Sequence, residues 1–182
     1  MARVLVVEDD EANRELDVDI VVHERGVASD WVRAAAPGAR AAVSGPGRGW
    51  AYDEQAESFL LAGDESAVPA IGQLLEVLPA ERAVSVHIEV SRPDGRSPLP
   101  PHPRATVQWW DAAAGDPPGD ALVGSVAGAP LAPTTQLWVA GEAAAVQRIR
   151  RILFEERGLS RSRATVRGYW KHGRAGDADP AD

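Results

Sequence analysis

Two short words, each closing an apolar run, carry the chain's clearest chemistry. Gly63-Asp64-Glu65-Ser66 follows Phe59-Leu60-Leu61-Ala62, and Gly141-Glu142 follows Gln136-Leu137-Trp138-Val139-Ala140. A glycine at a strand end permits close backbone approach, and the N–H groups opening the next helix attract a phosphate. In an open parallel sheet such exits share one crevice beyond the carboxyl ends of the strands, so the pair marks a candidate ligand crevice that could hold a phosphate. Were a nucleotide bound there, Glu89 at another strand end could take the ribose hydroxyls and Arg92 or Arg96 a 2'-phosphate, a choice the sequence leaves open. Other chemistries fail. His23, His87, His102 and His172 show no i,i+4 pairing and no carboxylate companion at metal spacing, so no metal site is expected. Neither a Gly-x-Ser-x-Gly elbow nor a Walker loop is present.

Composition narrows the classes further. The 182 residues carry 27 Asp+Glu against 19 Lys+Arg, a net charge of -8 that argues against a nucleic-acid groove. Cysteine is absent, which excludes thiolate chemistry and disulfides and fits a reducing cytoplasm. No stretch approaches the roughly 20 apolar residues of a membrane span, and the start Met1-Ala2-Arg3-Val4 has no apolar leader core. Eighteen of the 19 basic residues are arginine, which a GC-rich gene explains without invoking phosphate binding.

The elements that must position these words follow from periodicity. Leu16 to Val22 alternate as a half-buried strand, Ala28 to Ala36 read as a short helix closed by Pro37-Gly38, and Arg40 to Ser44 as another strand. From Glu57 onward, buried strands alternate with helices, the signature of a parallel α/β sheet. Strands are expected near 59–62, 84–90, 105–110, 136–140 and 164–167, and helices at 67–78, 120–126 and 142–157. Ser91 to Arg104, with its prolines, reads as an exposed loop. Trp109 and Trp138 lie in apolar strands and are expected in the core, whereas polar and glycine neighbours bracket Trp170. The expected organisation is 1–50, 51–174 and a disordered acidic tail, 175–182.

Three segments, Leu61-Ala62-Gly63-Asp64-Glu65-Ser66-Ala67-Val68-Pro69-Ala70-Ile71, Leu137-Trp138-Val139-Ala140-Gly141-Glu142-Ala143 and Gly168-Tyr169-Trp170-Lys171-His172-Gly173, resemble the siderophore-interacting proteins of the ferredoxin-reductase superfamily. Glu15 to His23, with Gly26-Val27-Ala28-Ser29-Asp30-Trp31 and Pro37-Gly38, is similar to that family's flavin pyrophosphate region. The resemblance implies a ferredoxin-reductase-like parallel-sheet α/β nucleotide-binding domain preceded by a truncated remnant of the FAD-binding β-barrel. It implies hydride transfer from NADPH or NADH to FAD and electron transfer onward to a ferric siderophore. Gly63, Asp64, Glu65, Ser66, Gly141 and Glu142 would face the nicotinamide nucleotide, and His23, Gly26, Ala28 and Ser29 the FAD. Ser29 near a helix start suits either a phosphate oxygen or its own helix as an N-cap. Trp170, covering a ring, and Lys171, attracting an anionic chelate with Arg174, are the candidate catalytic residues.

The chain also departs from the family. The barrel's Arg-x-Tyr-Ser/Thr motif should fall near residues 2–5, where Ala2-Arg3-Val4-Leu5 stands. Trp109-Trp110-Asp111-Ala112 lacks the basic residue the family places after its third strand. The opening, Arg3 to Leu16, is similar to response-regulator receivers, but the strand alternation after it and the single late lysine, Lys171, leave Asp9 and Asp10 as a solvated turn. A truncated, non-catalytic nucleotide-binding remnant or interaction module is the competing expectation, and a barrel encoded upstream of Met1 a third. Residues 16–44, without barrel partners, would leave a second copy of the chain as a candidate cover.

Overall fold

A computed structural model describes residues 5–10, 15–20, 22, 27–42 and 50–173. The chain divides into two compact units, Trp50–His172 and the residues on either side of it. The first unit holds an antiparallel pair, β1 (Leu5–Asp10) and β2 (Glu15–Asp19), and one helix, α1 (Val27–Ala34). Asp9 and Asp10 are not a turn: they end β1 in register with Leu16 and Glu15, because the pairing continues through them. Of the strand expected over Arg40 to Ser44, the described residues Arg40 to Ala42 are irregular and exposed. That run offers alanine where strands favour β-branched or aromatic side chains. Residues 43–44, His23, Gly26, Arg174 and the tail from 175 lie outside the described residues.

The second unit is built on five parallel strands: β3 (Ser58–Asp64), β4 (Ala83–Val90), β5 (Ala105–Asp111), β6 (Thr135–Glu142) and β7 (Ala164–Trp170). Their spatial order is β5-β4-β3-β6-β7. Three helices connect them: α2 (Val68–Val77), α3 (Asp120–Gly128) and α4 (Ala143–Arg151). The central strands carry unbroken apolar runs because both of their faces are covered. Along β3, Phe59 and Leu61 enter one core with Ile71 and Leu75 of α2, while Leu60 and Ala62 enter the other with Leu122, Val126, Val146 and Ile149 of α3 and α4. Burying a side chain of this size contributes about 2 kcal/mol. Trp138 is 4% exposed, as expected of a core residue, whereas Trp109 on the outer strand β5 is only partly buried.

The chain starts in the middle of the sheet, fills one side with β4 and β5, then crosses to β6 and β7. That reversal places the topological switch point between β3 and β6. The helix expected over 142–157 changes character near its end. After Arg151 it widens into a π-helical turn, Ile152–Glu156, in which Leu153 stays buried. Gly158, at φ +65°, then lets the Leu159 N–H donate to the Leu153 carbonyl at 2.8 Å, closing the helix.

Candidate functional site

Both glycine words leave the sheet at the switch point. Gly63 pairs with Ala140 in the β3–β6 register, so Gly63-Asp64 and Gly141-Glu142 stand on neighbouring strands at the same edge. The free space at each glycine is already filled from within the chain. A Cβ on Gly63 would collide with that of Ala67 and sit 2.7 Å from the Ala140 carbonyl oxygen. One on Gly141 would sit 2.6 Å from Oδ2 of Asp64. The glycines therefore let β3, β6 and the turn after β3 approach one another.

Carboxylates also occupy the turn before α2 and the starts of α3 and α4. Asp64 caps the 3-10 turn Glu65–Ala67 that leads into α2, accepting from the Ser66 N–H at 2.9 Å. Glu142 caps α4, accepting from the N–H groups of Ala144 and Ala145 at 2.6 and 3.0 Å. Glu89 caps α3, accepting from the N–H groups of Gly119 and Leu122, both at 2.7 Å. Each carboxylate supplies the negative charge that a bound phosphate would otherwise bring to a helix N-terminus. Glu89, expected at ribose hydroxyls, is 5% exposed and committed to this cap. An acid near the end of β4 was the available signal, but its partners lie some thirty residues on, at the start of α3.

Asp64 does more than cap. Its Oδ1 also accepts from the Ser66 hydroxyl, and its Oδ2 accepts from the Glu142 N–H and the Trp170 indole N–H, each at 2.8 Å. Burial pushes the Asp64 carboxyl above its ordinary range, and the donors from Ser66, Trp170 and Glu142 offset that only in part. Glu142 behaves oppositely. Burial works to raise it, but the N–H groups of Ala145, His172 and Ala144 and the charge of the His172 imidazole hold it below its ordinary range.

The third word reaches the same place along β7. Gly168 pairs with Gly141, but Trp170 rather than Tyr169 comes opposite Glu142, so Tyr169 is the extra residue of a bulge. Such a bulge re-aims the side chains that follow it. Tyr169 packs edge-on against Trp138, with ring centroids 6.1 Å apart, while Trp170 reaches Asp64 and stays 40% exposed. The His172 N–H donates to Glu142 Oε1 at 3.1 Å, and Lys171 is exposed. Glu65 is exposed and holds the loop after β4, accepting from the Ser91 N–H and hydroxyl at 2.7 and 2.9 Å. The structure thus brings Gly63 to Ser66, Gly141, Glu142, Trp170 and Lys171 to one sheet edge. Ala28 and Ser29 lie in α1 of the other unit, with Ser29 buried inside the first turn, past the N-cap position.

Two clefts open on this sheet. A cleft of about 370 Å³ lies to its β5 side, lined by Arg96, Ser97, Pro98, Leu99, Val107 and Trp109. Arg96 there is bridged to Asp111 at 2.6 Å, and Arg92 to Asp94 at 3.4 Å. Another, of about 420 Å³, lies where Arg150 and Arg151 face Ala164 and Val166 of β7, at the strand's far end. His87 on β4, weighed in the sequence only as a metal ligand, is buried, its Nδ1 has no hydrogen-bond partner, and burial lowers its pKa.

Comparison with known proteins bears on the fold and the family. The siderophore-interacting protein model matches residues 56–173, and the siderophore-interacting FAD-binding domain model matches residues 3–50. The ferric vibriobactin reductase of Vibrio cholerae is 31% identical over 170 residues, covering 91% of this chain and 62% of the relative. An uncharacterized protein of Mycobacterium tuberculosis is 36% identical over 177 residues, with the same shares of 91% and 62%. The chain therefore spans 62% of the length of these curated relatives. The crystal structure of a siderophore utilization protein from T. fusca superposes with a TM-score of 0.79 at 34% identity, over 98% of this chain and 69% of that one. With a family model covering the whole five-stranded sheet and a matching solved fold, the chain belongs to the siderophore-interacting protein family, and its parallel α/β sheet is the ferredoxin-reductase-like fold of that family.

Proposed function

We propose that this chain takes part in the cytoplasmic reduction of ferric siderophores, drawing electrons from NADPH or NADH through FAD. The observation that supports it most is the convergence of three separate words, Gly63 to Ser66, Gly141-Glu142 and Trp170 to His172, at one switch point, tied together through Asp64. Ligands of open parallel sheets bind there.

The carboxylate caps decide how a nucleotide would lie. With Asp64 on the turn before α2 and Glu89 and Glu142 on the starts of α3 and α4, a diphosphate meets negative charge at the exits. Cations must hold it instead. Arg92 and Arg96, after β4, and exposed Lys171, after β7, flank the exits and suit that role. The indole face of Trp170 offers a stacking plate to a nicotinamide or flavin ring. Beside the exits, the cleft that joins Arg96 to Trp109 fits the adenosine end, a cation and an aromatic wall for a phosphorylated purine. FAD contacts fall to the first unit, where Ala28 and Ser29 open α1.

A nicotinamide, when bound, would supply a hydride, and a flavin would pass electrons singly to ferric iron. The protein's own residues bind, orient and shield, so no general acid or base is required of them. Lys171 adds attraction for an anionic ferric chelate. Purified protein tests this reading: a flavin spectrum and NAD(P)H-dependent reduction of a ferric siderophore are expected. A colourless protein that binds NADPH without turnover would instead identify a non-catalytic nucleotide-binding module.

A further inference from the structure

We infer that Asp64 is a positioning residue, whose buried carboxylate sets the Trp170 indole at the β3–β6 exits as a preformed stacking plate for the planar ring of a bound nucleotide. This rests on the nucleotide-binding reading above.

The geometry singles out a carboxylate. Asp64 accepts from the Ser66 N–H and hydroxyl, the Glu142 N–H and the Trp170 indole N–H, and all of these groups can only donate here or do so by choice. An ionised aspartate has acceptor sites for all of them, whereas an asparagine would present an N–H₂ to one pair of donors. The donors come from segments 78 and 106 residues away as well as from the adjoining turn, so one side chain fixes three chain segments at once. Burying such a group costs desolvation, which burial's upward push on its carboxyl reflects. A purely structural tie between two strands already paired by their backbones would not need a bond to an indole that remains 40% exposed. Anchoring Nε1 removes the ring's freedom to swing while leaving ring surface open, and preset geometry lowers the cost of binding.

Two neighbouring features serve the same placement. The bulge at Tyr169 brings Trp170 opposite Glu142, and Gly141 has no side chain that would displace the Asp64 carboxylate. The titratable groups around Asp64 are Glu89, its register partner on β4, Glu65 in the next turn, Glu142 at the end of β6, and His172, whose ring lies 6.4 Å from that of Trp170. Protonating Asp64 puts a hydrogen on one carboxylate oxygen and weakens the carboxyl as an acceptor, so acid should loosen the indole's bond.

The test reads the indole N–H signal of Trp170 in the ¹H–¹⁵N spectrum of the full chain, identified by its loss in Trp170→Phe. In the wild type it should move on acidification, and in Asp64→Asn it should take a solvent-exposed position at neutral pH. NADPH affinity should fall roughly tenfold in Asp64→Asn, the scale of one hydrogen bond to a charged group. In a Trp170→Phe background the same substitution should change affinity little, since its effect runs through the indole. An indole signal that ignores both acid and Asp64→Asn overturns the inference, and so does an undiminished Asp64→Asn effect without the indole. Should Asp64→Asn fail to fold, the wild-type acid titration still decides. Wild-type protein that binds neither NADPH nor NADH, with the indole still coupled to Asp64, overturns the nucleotide reading instead.

Discussion

The exits of β3 and β6 are spelled alike, a glycine followed by an acid, and lie side by side, yet their carboxylates are held in opposite ways. Asp64 reaches sideways to Ser66, Glu142 and Trp170, and burial drives its carboxyl upward. Glu142, one methylene longer, turns forward onto the N–H groups of its own helix and of His172 and is held downward. A two-residue word thus fixes where the chain leaves the sheet, while side-chain length and the donors within reach fix what the acid does there.

The sharpest way to break this comparison is at the glycines. Gly63→Ala drives a methyl into Ala67 and the Ala140 carbonyl, neither of which can yield cheaply, and should cost about 3 kcal/mol by chemical denaturation. Gly141→Ala meets only the Asp64 carboxylate, so the cost should be nearer 1–2 kcal/mol, roughly the loss of a buried hydrogen bond, with release of the Trp170 indole as its signature. Equal losses at both positions would mean that the carboxylate is no softer a neighbour than backbone.

Much of the second unit was legible because β3 and β6 are buried on both faces, which writes unbroken apolar runs into the sequence. Trp170 stood out because polar and glycine neighbours flank it. The bond from Trp170 to Asp64 spans 106 residues and left no local trace. Glu89 was misread for the same reason: its strand-end position suggests a ribose, while the α3 N–H groups that claim it lie beyond a long irregular connection. The π-helical turn after Arg151 was hidden too, because its side chains keep the apolar spacing of an ordinary helix.

Removing a cap should have the next largest effect. Glu142→Ala strips α4 of its cap and leaves the His172 N–H unmatched, for an expected loss of about 2 kcal/mol in thermal or chemical unfolding. The smallest effect, and the one that most directly sharpens the contrast, is in pH dependence. Glu142 is held below its ordinary 4.5, so the stability it lends is complete above that value and is lost as pH falls through the lower folded value. Asp64 is raised above its ordinary 3.8, so the folded chain holds that proton more tightly, and ionising it costs stability as pH rises from 3.8 through the folded value. Denaturation at stepped pH should therefore show Glu142→Gln converging on the wild type in acid. The wild type should instead lose stability relative to Asp64→Asn, which cannot ionise, as pH rises through the folded value of Asp64, and parallel behaviour of the two variants would refute the contrast.

Whether the switch point receives a nucleotide is read most directly by titrating NADPH and NADH into the ¹⁵N-labelled chain. Saturable shifts should gather at the Ser66 and Glu142 amides, the Trp170 indole and the Arg92–Arg96 loop, leaving the Arg150–Glu155 end of α4 unmoved. Shifts confined to that far end, or none at millimolar nucleotide, would contradict the site.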